Sequence, residues 1–168
     1  MTARNHAMAN RVADALLANL RQIGMTNGPW LTAPKWVERG MSADFLNLPK
    51  PALFVKTMGW GPNTMLGKPS AAHMLSRVDA SFSVLCICDQ PVTKRESEQE
   101  LNNLASDVIN AVVRDFQLRG LGLSGTALLE SGFLSVSGYR PEMELSSNLM
   151  SAASVDINAT WLWDTQSP

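Results

Sequence analysis

Between Arg77 and Asp89 the chain alternates with a period of two. Val78, Ala80, Phe82, Val84, Cys86 and Cys88 fall on one side, and Asp79, Ser81 and Ser83 fall on the other. Such a segment folds as a strand with one face covered and the other face starting out wet. The second face turns apolar at Leu85 and Ile87, before Pro91 ends the run. A chain containing this segment must build a sheet and must supply elements to lie on one side of it.

The covering elements are two amphipathic helices. From about Asn5 to Ile23, Val12, Leu16, Leu20 and Ile23 recur on one face, and Gly24 is a natural stop. The second helix has Ser97 and Glu100 at capping-box spacing, followed by the apolar stripe Leu101, Leu104, Val108, Ala111 and Val112. Gly120 can close it in a left-handed conformation. Further strands are expected at Ala52–Met58, at Thr126–Ser131 and Phe133–Arg140 (broken at Gly132), and at Ala153–Asp164. A polar loop separates the last two, around Pro141 to Ser151. Glycines and prolines punctuate two long irregular segments, 24–51 and 59–76. Within the first, Trp30-Leu31-Thr32 and Trp36-Val37 read as short extended pieces. The fold class is therefore α+β, a single domain over 1–168. It has one mixed or antiparallel sheet of four to five strands and two helices on one face. The first two strands can pair as a hairpin with 59–76 as a large tip, and the three later strands as a meander.

Composition narrows the function. Fourteen basic and fifteen acidic residues leave a net charge of −1, so no basic field recognises nucleic acid or an anionic membrane. No apolar run approaches the ~18 residues of a membrane span, and Met1 to Ala9 lacks a signal-peptide core. A protein working in a cytoplasm, or leaving the cell by lysis, is expected. Charged residues are only 17% of the chain, below the usual ~25%, which suits a surface covered by partners or by long neutral loops.

No local motif carries catalysis, a cofactor or a metal. Gly120-Leu121-Gly122-Leu123-Ser124-Gly125 matches the dinucleotide pattern, but it follows a helix and precedes a strand, the reverse of what a pyrophosphate needs. Cys86 and Cys88 share a strand face without the further ligands of a zinc site, and read as small apolar residues. His6 and His73 are the only histidines; both read as solvated. Asn158-Ala159-Thr160 is a formal glycosylation acceptor inside a strand. Trp161 and Trp163 alternate on the last strand as core residues. Trp30, Trp36, Trp60, Met65 and Leu66 lie in or beside the irregular segments and are the candidate subunit or partner interface, since aromatics and methionine are enriched there.

The order of elements resembles the tail-terminator family of long-tailed bacteriophages, including the lambda-like minor tail proteins. The resemblance spans the chain. It rests on the N-terminal helix with Val12, Leu16 and Leu20, the entry Pro51-Ala52-Leu53-Phe54-Val55 into the first strand, and the alternating strand Val78 to Cys88. The helix Leu101-Asn102-Asn103-Leu104 to Val112 and the closing strand Val155 to Trp163 complete it. Segments 24–51 and 59–76 are longer than in the compact members. The resemblance implies a virion structural protein of the tail or neck, assembled in the host cytoplasm. It implies a ring, as a homo-hexamer, that caps the tail tube and meets a head-completion or neck protein. It implies no catalysis, cofactor, membrane or nucleic-acid recognition. The alternatives are another neck or tail-completion protein, and a small ligand-binding or enzymatic α+β domain with an unmarked pocket.

Overall fold

A computed structural model describes residues 2–25, 28–41, 44–66, 75–89, 94–120, 125–129, 132–144 and 150–164. Helix α1 spans Thr2–Leu20 and is followed by strand β1 at Trp36–Arg39 and a single 3-10 turn at Phe45–Asn47. Strands β2 (Ala52–Leu66) and β3 (Leu75–Asp89) come next, then helix α2 (Lys94–Arg114) and strands β4 (Phe133–Glu144) and β5 (Met150–Asp164). The five strands form one mixed sheet in the order β1-β2-β3-β5-β4, with β1 parallel to β2 and the other pairings antiparallel.

The α+β class and the one-sided helices agree with the sequence reading, while several local expectations are corrected. Strand β2 does not stop at Met58; it runs on to Leu66 through Gly59, Gly61 and Pro62, with register shifts at Thr57/Gly59 and Pro62/Thr64. An edge strand tolerates proline and glycine bulges because few ladder bonds are lost. The irregular segment 59–76 thus shortens to 67–74, which lies outside the described residues. Strand β4 likewise continues through Pro141 to Glu144, with a register shift between Arg140 and Met143 that accommodates the proline. Residues 125–129 are not a strand. The three later strands are not a sequential meander either, because β5 enters between β3 and β4. Helix α2 begins at Lys94, so Ser97 lies in its first turn and not at its cap.

The helices cover one face. Helix α1 lies over β1 and β2, and α2 over β3, β4 and β5. Val12, Leu16 and Leu20 of α1 and Leu101, Leu104 and Val108 of α2 are buried against Leu53, Val55, Phe82, Val84, Val155 and Ile157. Each such side chain contributes roughly 1.5–3 kcal/mol on full burial. An exposed ion pair such as Arg39–Asp14 gives at most about 1 kcal/mol, so packing holds the fold.

Two buried carboxylates of and after α2 tie the irregular segments to this core. Asp107 is fully buried and accepts bonds from the Leu31 amide (3.0 Å), the Thr32 amide (2.7 Å) and the Thr32 hydroxyl (2.6 Å). Asp115 accepts from the Arg119 amide (2.6 Å), the Gly120 amide (2.7 Å) and the Asn19 side-chain amide of α1 (2.8 Å). Around it the chain turns through left-handed residues, Leu118 at φ 55° and Gly120 at φ 90°. Replacing Asp107 by Ala removes the carboxylate that receives the Leu31 and Thr32 amides and the Thr32 hydroxyl. We expect a loss of about 2–4 kcal/mol in denaturant unfolding, against a negligible change for exposed Glu98→Ala. A second expectation concerns Gly132, where an added Cβ would sit 1.7 Å from the Thr160 carbonyl oxygen of β5. Gly132→Ala must push β4 away from β5, and a melting temperature equal to that of the parent would contradict the close approach.

Candidate functional site

Groups with intrinsic chemistry are mostly absorbed by the fold. Both thiols are completely buried on the helix side of β3. Burial pushes the Cys86 thiol up to about 12. Burial raises Cys88 too, and the negative charges of Glu100, Cys86 and Asp89 act in the same direction. Among the described residues no group of three or more His, Cys, Asp or Glu side chains could hold a metal ion. His73 lies outside the described residues, as does the side chain of His6. The glycine-rich segment follows α2, with Gly120 left-handed, and residues 121–124 lie outside the described residues.

What remains is the face of the sheet away from the helices, together with its two edges. This open face changes character along the strands. At one end Ala52, Phe54, Ile87, Met150 and Ala152 form a small apolar cluster, covered by Phe45 and Leu48 of the segment before β2. At the other end polar side chains bridge the strands. Ser83 donates to Asp156 (3.0 Å), Thr160 donates to Asp79 (3.0 Å), and the Ser81 hydroxyl bonds the Asn158 side-chain oxygen (3.0 Å). Arg140 of β4 pairs with Asp156 at 2.9 Å.

A groove of about 470 Å³ crosses the sheet where these halves meet, lined by Gly40, Met41, Phe54, Lys56, Met58, Ser83, Leu85, Arg140 and Ser154. Its floor follows the register. Phe54 lies opposite Leu85, Leu85 opposite Ser154, and Ser154 opposite Arg140. The adjoining row starts with Lys56 opposite Ser83. The Ser154 hydroxyl is buried and has no hydrogen-bond partner among the described residues.

The edges differ from one another. Strand β1 pairs only with Ala52–Val55, so among the described residues β2 has no outer partner from Lys56 onward. Strand β4 ends the sheet on the other side. Large apolar side chains stand exposed on both sides: Trp36 and Met58 on β1 and β2, and Phe133 on β4.

The candidate interface residues do not converge on one patch. Trp30 is half-buried against the main core, with the Arg114 guanidinium 5.6 Å over its ring. Trp60, opposite Ala80, packs on the same helix-side core. Trp36 is exposed at the β1 edge, its indole donating to Glu38 (3.1 Å). Met65 and Leu66 fall within β2, but their side chains lie outside the described residues. Trp161 is buried as expected of a core residue, and the Trp163 side chain lies outside the described residues. Sequence reasoning missed Phe133, because its exposure follows from its place on the edge strand and not from residue type. It also missed the groove, whose lining comes from five separate stretches of chain.

Compared with known families and curated proteins, the sequence matches no family model and finds no significant match to an individual protein. No described helix is long and apolar enough to cross a membrane.

The buried thiols give a direct check. Native protein should resist Ellman's reagent at pH 8, and both thiols should react once denaturant is added. Rapid reaction of the native chain would contradict their burial. The sign of the pH dependence follows. Unfolded thiols ionise near their usual ~8.5 and folded ones stay protonated well above it, so the stability they contribute is present below that value and lost as pH rises toward the folded value. Cys86→Ala should therefore flatten the fall in unfolding free energy between roughly pH 8.5 and 10.5.

Proposed function

We propose that this chain is a virion structural protein, a ring-forming tail terminator that caps the tail tube and meets the head-completion proteins. Two unlike open sheet edges carry the reading, each bearing exposed apolar side chains, Met58 and Trp36 on one and Phe133 on the other. A contact between unlike surfaces on successive copies is heterologous, and such contacts make a ring when the rotation closes. Edges left open invite pairing. Here the bulges near Met58 and Pro141 limit it to short stretches, which suits a closed ring better than a fibre. The low charge of the chain supports extensive cover by neighbours. The family resemblance supplies the tail and the hexamer.

This role needs no reacting group, in keeping with thiols and carboxylates that serve packing and loop anchoring. The test is genetic. Phage particles assembled without this chain should carry tails of irregular length, or tails unable to join heads, when viewed by electron microscopy. Normal tails joined to heads would overturn the proposal. A neck role instead of termination would show as tails of uniform length left unattached.

A further inference from the structure

The groove across the open face has features that packing alone does not explain. Its walls are apolar at Phe54, Leu85, Met41 and Met58, and the two methionines are exposed. Flexible thioether side chains adapt to varied occupants. Cations stand at opposite ends, Lys56 on β2 and Arg140 on β4. Across β2, β3, β5 and β4 the groove spans three interstrand spacings, about 14 Å. Arg140 shares its charge with Asp156, while Lys56 has no ion-pair partner among the described residues. Between them lies Ser154, 3% exposed, its hydroxyl unpartnered among the described residues. A buried polar group without a bond is costly, and a polar atom brought by an occupant would satisfy it.

We infer that this groove binds an extended segment of another polypeptide, one that presents an apolar side chain beside a carboxylate. Apolar walls beside Lys56, which is unpaired among the described residues, select that chemistry. A polypeptide is favoured over a free small molecule by the backbone at the groove's mouth. The Gly40 amide makes a bond to the Val55 carbonyl (2.8 Å), and from Lys56 onward no described strand pairs with the outer edge of β2. A segment laid along Lys56–Gly61 gains main-chain bonds there while its side chain enters beside Met58. The volume takes one or two side chains, enough for an anchor. The β2 edge and Met58 are also those the ring reading gives to a neighbouring copy, so the peptide is tested on the full chain carrying Phe133→Asp, which that reading makes a single chain with this edge free.

The test titrates the isotope-labelled full chain carrying Phe133→Asp with the acetylated, amidated peptide Thr-Leu-Glu-Val-Glu and follows amide shifts. Shifts should concentrate at 54–58, 83–85 and 154. Replacing both glutamates of the peptide by glutamine should weaken binding about fivefold or more, and Lys56→Glu in the protein about tenfold. Lys56 is exposed, so that variant keeps the fold. Ser154→Ala should weaken binding without lowering the melting temperature. Absence of shifts at millimolar peptide would overturn the inference. So would equal binding of the glutamine peptide, or shifts caused by octanoate and not by the peptide. Failure of these tests leaves the tail phenotype untouched, and a normal tail phenotype leaves peptide binding untouched.

Discussion

The antiparallel pairing of β3 with β5 is the constraint on which the rest depends. Both strands are fifteen residues long, and they pair from Leu75 opposite Asp164 to Asp89 opposite Met150 without a register shift. Because side chains alternate, one slip would turn Val78, Phe82, Val84, Val155 and Ile157 away from the helices together. The register also fixes the open face, since it sets Ser83 against Asp156 and Leu85 against Ser154. The flanking strands β2 and β4 both carry register shifts, and irregularity is confined to them. The sheet thus has a rigid centre and adaptable margins; the open edges lie at those margins, and the groove crosses the centre between them.

Helix α2 links that centre to the loops. Its apolar stripe seats it on β3, β4 and β5, and this brings Asp107 under residues 31 and 32 and Asp115 beside Asn19 of α1. A carboxylate buried without bonds would be very costly, so each of these requires its loop in place. The anchoring explains how a long segment without regular structure stays attached to a small core, and why Trp30 comes to lie beneath Arg114.

Periodicity made the centre legible in the sequence. The alternation of β3 and β5 and the stripes of the two helices are strong local signals, and they yielded the fold class and the one-sided cover. The margins were obscure for physical reasons. Gly59, Gly61 and Pro62 are breakers in most contexts, yet an edge strand with bulges absorbs them. The chain order of β4 and β5 says nothing of which lies next to β3. Tryptophan content pointed to Trp30 and Trp60 as interface residues, whereas tertiary packing draws both onto the core. The roles of Asp107 and Asp115 depend on partners 75 or more residues away for Thr32 and Asn19, beyond any local pattern.

Assembly through unlike edges is the central claim, and the mass of the free protein tests it most directly. Native mass spectrometry with negative-stain microscopy should find rings near 110 kDa, six times the 18.3 kDa chain. Met58→Asp or Phe133→Asp should shift that population to the single chain while the circular dichroism spectrum stays unchanged. A mass that remains 18.3 kDa at the highest soluble concentration, with purified tail tube present as well as absent, would contradict the account. So would rings unaffected by both substitutions.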